Sequence, residues 1–206
     1  VAARNSTVFL IRHGHTDAVG TRLTGRLPGV HLTAAGREQA VRLPARLRRH
    51  TERLAAVYTS PLERTRETAD PIAEAFGVTA QPCDALLEPD FGHWTGSRFE
   101  DLDSDPAWRL FNAHRSRARV PGGESALAVQ ARIVSALDEI TSRYADGAAV
   151  AVVSHADVIR AALLAFLGMP LDLHDRLVIE PASMSGVQLF TGGLHVLFVN
   201  DVDRGM

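Results

Sequence analysis

The sequence contains no lysine: all 22 of its basic side chains are arginine. That absence excludes the phosphate-gripping lysine of Walker-type loops, the kinase lysine, and Schiff-base chemistry with pyridoxal phosphate or carbonyl substrates. Cysteine is almost as scarce. The lone Cys83 cannot close an internal disulfide or build a cysteine-rich zinc site. A single thiol suits a reducing compartment, and with no activating pattern around it Cys83 reads as a half-buried structural thiol. No apolar run approaches the roughly 18 residues of a membrane helix, and the run from Val8 to Ile11 is too short for a signal-peptide core. The expectation is a cytoplasmic protein with no membrane partner. Excess charge of one sign is also missing, with 22 basic against 24 acidic residues and a formal charge of −2. No global basic field draws a nucleic acid, so an anionic ligand must be caught locally.

What is present suffices for a core. The 206 residues are 46% hydrophobic, and no repeat, linker or low-complexity tract divides them, so a single α/β domain over 1–206 is expected. Val8 to Ile11 reads as a buried strand delivering Arg12-His13-Gly14-His15-Thr16-Asp17 at its carboxyl end, where ligands bind in open parallel sheets. Thr33 reads as the N-cap of a helix carrying Ala40, Leu43 and Leu47, with Pro44 kinking or shifting it. Ala55 to Tyr58 reads as a second strand, followed by Ser60 as N-cap, Pro61 at the first helical position and a helix from Leu62 to Phe76 closed by Gly77. An amphipathic stretch from Ser125 to Tyr144 precedes a third strand, Ala148 to Val153, which delivers Ser154-His155 before a helix from Val158 to Leu167. Between these units, about 82–123, periodicity is weak. An irregular, lid-like insert is expected there, with a short helix around Trp108 to His114. Val187 to Phe190 and Leu194 to Val199 flank Thr191-Gly192-Gly193 as an antiparallel C-terminal hairpin.

Two readings compete for the first strand end. His13, His15 and Asp17 match the opening of binuclear metallohydrolase motifs, although Ala18 interrupts the pattern and Arg12 would repel a cation. Alternatively, Arg12 grips a phosphoryl group while a neutral His13 attacks phosphorus, with Gly14 letting the backbone turn and approach the substrate. The second reading gains Arg64 in the first turn of its helix, where backbone amides also face an anion, and His155 at the third strand end. An acid must protonate the leaving alkoxide; Glu88 is the first candidate and Asp90 the second, and apolar neighbours would raise the Glu88 pKa.

The motifs resemble the histidine phosphatase superfamily, the phosphoglycerate-mutase-like enzymes. The resemblance rests on Arg12-His13-Gly14, Leu23-Thr24-Gly25, the run from Leu32 to Ala40 and the run from Thr59 to Ala69. It continues through Glu88, Phe91-Gly92-His93-Trp94-Thr95-Gly96, Pro121-Gly122-Gly123-Glu124-Ser125 and Val152-Val153-Ser154-His155. It implies a three-layer α/β/α sandwich with a mostly parallel sheet and hydrolysis through a phosphohistidine on His13. Arg12, Arg64 and His155 would form the phosphate pocket, Glu88 would be the proton donor, and Thr24 and Gly25 would lie beside the pocket. Neither metal nor other cofactor is needed, because arginines stabilise the charge. His15, Val19, His93 and Ala156 depart from the family pattern and bear on substrate identity. The short stretch between Glu88 and His155 resembles the phosphatase branch.

The expected partner is therefore a small-molecule phosphomonoester; a homodimer is allowed but not required. The rival readings are a phosphomutase on the same site, the metallohydrolase, and a phosphate-binding module without turnover. His15, His31, His93 and His174 are expected to be structural or solvated, and Trp94 and Trp108 to be packing residues. Arg115, Arg117 and Arg119 are expected on a solvated surface, and Glu124 and Ser125 as helix caps.

Overall fold

A computed structural model of the chain describes residues 5–203; the outer limits of the expected 1–206 unit lie outside the described residues. Six strands, β1 (Asn5–Arg12), β2 (Ala56–Thr59), β3 (Ala80–Pro82), β4 (Ala149–Ser154), β5 (Met184–Phe190) and β6 (Gly193–Asp201), form one sheet in the order β3-β2-β4-β1-β5-β6. The first four run parallel, while β5 is antiparallel to β1 and β6 to β5. The C-terminal hairpin thus extends the sheet beyond β1. β3, a three-residue strand containing Pro82, carries no period that the sequence could announce.

The central strands are apolar on both faces because both are covered. On one side Val8, Leu10, Val150 and Val152 pack with α5 (Ala126–Ser142) and α6 (Ala156–Phe166). On the other, Phe9, Ile11, Val57 and Val153 pack with Leu43 and Leu47 of α1 (Ala34–Leu47) and Ile72 of α2 (Glu63–Phe76). The result is the expected three-layer sandwich. Thr33 caps α1 by accepting from the Gly36 N–H at 3.0 Å, and Pro44 lies inside α1 without ending it. Gly77 closes α2 in the left-handed conformation at φ 67°.

Two local readings are corrected. Ser60 is not the N-cap of α2: the helix starts at Glu63 after Leu62, with no side-chain cap. Glu124 is not a cap either; Ser125 alone caps α5, accepting from Ala128.

The insert is less irregular than its sequence. It holds a 3-10 turn at Asp84–Leu86, another at Gly92–Trp94, α3 (Phe99–Leu102) and α4 (Pro106–Ala113). Leu23, Phe91, Trp94, Trp108, Phe111 and Val120 close around one another as a small separate core, with Trp94 and Trp108 edge to face at 5.3 Å. Trp94 donates to Asp105 at 2.8 Å, and the Asp105 carboxylate also caps α4.

Candidate active site

β1, β2 and β4 end at the same edge of the sheet, and each delivers a polar residue there. β1 ends in Arg12 and passes His13 on, β2 leads to Ser60, and β4 leads to Ser154 and His155. A cavity of about 200 Å³ opens over this edge. Arg12, His13 and Glu88 line it, as do Thr24 and Gly25 on one wall and Asp157 and Arg160 on another. Val19 and Ala156, two of the departures from the family pattern, also line it. Arg64 and His155 are buried, the first in α2 and the second at the N-cap position of α6.

His13 is 5% exposed, and its Nδ1 lies 2.8 Å from the Gly14 carbonyl, so Nδ1 carries the proton and Nε2 the free lone pair. Burial, then the positive charges of Arg64 and Arg12, hold its pKa well below the ordinary histidine value. The ring is neutral, and it packs edge-on against His155 at 5.3 Å. Burial and Arg64 likewise keep His155 neutral; its Nε2 is 2.9 Å from the Ser60 hydroxyl and its Nδ1 is 3.6 Å from Glu88 Oε2.

The charged groups are incompletely partnered. Arg12 donates to the Ile179 carbonyl at 2.6 Å and Arg64 to the Gly25 carbonyl at 2.8 Å, both main-chain acceptors. Arg12 Nε, Arg64 Nη1, Glu88 Oε1 and His155 Nδ1 are buried without a hydrogen-bond partner. Orphaned buried polar atoms are costly, so four from one small constellation mark a place where a ligand supplies the partners. Burial, reinforced by Asp157, pushes the Glu88 carboxyl up to about 8, against the opposing pull of Arg64, Arg12 and Arg132. Glu88 is therefore protonated at neutral pH. Asp90, the alternative acid, turns away to accept from the Gly92 N–H at 2.9 Å.

Gly14 serves packing rather than substrate approach. A Cβ on Gly14 would sit 2.6 Å from the Gly36 carbonyl oxygen, so the residue lets the loop after β1 touch the first turn of α1. The Gly14 N–H donates to Thr68 at 3.0 Å, fastening that loop to α2.

Other expectations separate. His15 bonds Thr33, and Asp17 is exposed. Among the described residues no group of three or more His, Cys, Asp or Glu could hold a metal ion, so His13, His15 and Asp17 do not form a metal centre. Arg115 is not solvated: it is 7% exposed, donates to Asp157 at 3.1 Å and stacks over Phe111, whereas Arg117 and Arg119 are exposed. His174 is buried and His31, paired with Glu67, is exposed. Glu124 is held by Arg26 at 2.9 Å and by Arg132 at 2.8 Å.

Sequence reasoning missed Ser60, whose hydroxyl meets His155, and the pair Asp157 and Arg160. Both signals were on view, because Asp157 follows His155 by two residues and Arg160 lies one turn on. Burial pushes the Asp157 carboxyl up, but Arg115, His174 and Arg160 outweigh it and hold it well below the usual carboxylate range.

The family model of the histidine phosphatase superfamily, branch 1, matches residues 8–202. The chain belongs to the histidine phosphatase superfamily. Within it, phosphoserine phosphatase 1 of Hydrogenobacter thermophilus is 33% identical over 80% of this chain and 77% of its own length. A probable phosphoglycerate mutase GpmB of an Enterobacter strain is 30% identical over 87% of this chain and 83% of its own length. The chain spans about half the length, 51%, of mycobacterial relatives such as bifunctional protein Rv2228c of Mycobacterium tuberculosis. Among solved structures, Bacillus stearothermophilus YhfR superposes with a TM-score of 0.87 at 31% identity, covering 96% of this chain and 98% of that one. As a member of the superfamily the chain is an enzyme of the phosphatase kind. No helix among its described residues is long and apolar enough to cross a membrane.

Proposed function

We propose that this histidine phosphatase hydrolyses small phosphomonoesters through a covalent phosphohistidine on His13, without a metal ion. The carrying observation is the neutral, Nδ1-protonated His13 among four buried polar atoms that have no partner. A phosphoryl group bound there receives hydrogen bonds from Arg12, Arg64 and His155, which stabilise charge as it spreads over the equatorial oxygens. The Nε2 lone pair forms the N–P bond while the bond from phosphorus to the ester oxygen breaks. That oxygen leaves with the electron pair and takes the proton of Glu88. Glu88, now a carboxylate, removes a proton from water as it attacks the phosphohistidine. The N–P bond breaks back onto Nε2, phosphate departs, and Glu88 is again protonated. Thr24 and Gly25 shape one wall of the cavity.

The GpmB relative favours one second reading, a phosphomutase that uses the same His13 but returns the phosphoryl group to a substrate hydroxyl. One experiment separates these routes from metal-dependent hydrolysis. Phosphate release is measured from p-nitrophenyl phosphate and alkyl phosphomonoesters with EDTA present, for wild type and His13→Ala, together with acid-labile phosphoprotein after acid quench. The expected outcome is release that survives EDTA and disappears in His13→Ala along with the phosphoprotein. Normal rates in His13→Ala would sink the mechanism, loss of turnover to EDTA would restore the metal route, and phosphate moved within the substrate rather than released would establish the mutase.

A further inference from the structure

Arg12 and His13 are also held from behind, by the segment that connects the 3-10 turn Leu171–Arg176 to β5. This strap, residues 177–183, crosses the carboxyl end of β1. Its Ile179 carbonyl accepts from the Arg12 guanidinium, its Ser183 carbonyl accepts from the Arg12 N–H at 3.1 Å, and its Ala182 N–H donates to the His13 carbonyl at 3.1 Å. Ala182 sits at φ 53°, in the left-handed region that a β-carbon disfavours. Such a conformation persists only where its surroundings enforce it.

Arg46 supplies the enforcement. It lies on the inward face of α1, 4% exposed, beside Leu43 and Leu47, where an apolar side chain would pack at no desolvation cost. Its Nη1 donates to the Ala182 carbonyl at 2.8 Å, and its Nη2 donates to the Asp201 carboxylate at 3.0 Å and to the Asp201 carbonyl. A second tie comes from Asn200, whose side-chain oxygen accepts from the Glu180 N–H at 2.7 Å. On the α1 side of the strap lies a cavity of about 480 Å³ lined by Arg46, Ala182, Glu180 and Asn200. The Ala182 methyl packs into the core with Leu43 and Leu47 and Ile179 into the opposite cluster, but beside this cavity the Ala182 and Glu180 peptides are held by hydrogen bonds from Arg46 and Asn200. Arg42, one turn earlier on α1, lines the same cavity but pairs with Asp203 at 3.0 Å.

We propose that Arg46 is a positioning residue for phosphoryl transfer: by fixing the left-handed Ala182 peptide, it sets the backbone of Arg12 and His13 against the bound phosphoryl group. The inference rests on the reading of His13 as the nucleophile. Released from Arg46, Ala182 relaxes toward negative φ and its N–H swings off the His13 carbonyl.

The test compares Arg46→Met, Arg46→Lys, Arg42→Met and Asn200→Gly with wild type, on p-nitrophenyl phosphate, well below each Tm and per folded molecule by circular dichroism. Misplacement by about 1 Å costs up to roughly a hundredfold, so kcat of Arg46→Met is expected to fall about ten- to a hundredfold, with a smaller rise in KM. Arg46→Lys, which keeps one donor for Ala182, recovers most of the loss, and Arg42→Met matches wild type. An Arg46→Met enzyme with lowered Tm but unchanged kcat per folded molecule is merely unbraced, and that result overturns the proposal; so does an equal loss in Arg42→Met. If Arg46→Met does not fold, Asn200→Gly reads the same strap, since Asn200 sits at φ 56° and glycine keeps that left-handed backbone while removing the acceptor for Glu180. A severalfold lower kcat supports the proposal and an unchanged one overturns it. Turnover retained in His13→Ala would instead defeat the nucleophile reading, whatever Arg46 does.

Discussion

Two clusters of buried charge lie side by side in this protein, and they are built on opposite rules. Around His13, the guanidinium groups of Arg12 and Arg64 each reach a main-chain carbonyl and leave Nε or Nη1 without a partner. Around Asp157 on α6, Arg115 at 3.1 Å, Arg160 at 3.2 Å and His174 at 3.2 Å converge on one carboxylate. The first cluster is unfinished without an anion; the second carries its own. Buried charges left unpaired weaken the empty protein, and buried charges paired internally hold elements in place. Arg115 Nε and His174 Nε2 lack hydrogen-bond partners too, so the two clusters differ in whether an ionised carboxylate of the protein itself faces the cations.

The sharpest way to break the contrast is Arg64→Met. This change removes a buried charge that faces no anion in the empty site and whose one bond goes to the Gly25 carbonyl, so the ligand-free protein should lose about one hydrogen bond's worth of stability, about 1 kcal/mol. The phosphoryl group, by contrast, loses a charge-assisted hydrogen bond in the transition state, and kcat/KM should fall roughly 10²–10³-fold. Steady-state kinetics beside thermal melts with and without inorganic phosphate read both quantities. A large drop in Tm without phosphate, matched by a small kinetic effect, would place Arg64 with the scaffold.

Asp157→Asn asks the complementary question. The amide keeps the volume but leaves Arg115 and Arg160 facing no anion, and breaking a buried pair from one side typically costs about 3–5 kcal/mol. With the carboxylate partly reachable by water, about 3 kcal/mol is expected, a fall in Tm of roughly 6–12 °C for a chain of this size. kcat/KM should change far less than in Arg64→Met. Chemical denaturation with urea checks the free energy directly, and a variant as stable as wild type would show that the second cluster does not brace the fold.

What the sequence disclosed follows the same division between local and distant causes. Thr33, Gly77 and the apolar runs ending at Ile11 and Val153 were legible because caps and buried strands obey rules that act within a few residues. Ser60-Pro61 obeyed such a rule and still misled, because His155, brought close by the β2–β4 pairing, meets the serine hydroxyl. The small core of the insert was illegible as a unit, because Trp108 of α4 meets Leu23, Phe91 and Val120 from three separate loops that share no period with it. Arg115 could not be separated from Arg117 and Arg119 by sequence, since alternation along an irregular segment says nothing of which side chain turns inward. Arg12, His13, Arg64, Glu88 and His155 could be picked out as a set by family motif, but the unpaired state of their atoms is visible only in three dimensions.

The smallest expected effect joins the two clusters through Glu88. Its carboxyl is pushed up to about 8 by burial first and by the Asp157 charge second. In the mechanism proposed above Glu88 protonates the leaving oxygen and must carry its proton in the free enzyme, so kcat/KM for an alkyl phosphomonoester is expected to fall as pH rises through about 8. His13 sets no limit in that range, because its pKa lies well below the ordinary value and the ring is neutral throughout. Asp157→Asn removes a negative charge that resists ionisation of Glu88, while Arg12, Arg64 and Arg132 remain to favour it. The alkaline limb should then move to lower pH, by less than about one unit, since the larger cause, burial, is untouched. With p-nitrophenyl phosphate, whose leaving group departs without a proton, the first step needs no acid and the same limb should flatten. pH profiles of kcat/KM for both substrates in both enzymes read the effect, and a limb that stays fixed or moves to higher pH in Asp157→Asn would show that the scaffold cluster does not tune the acid beside it.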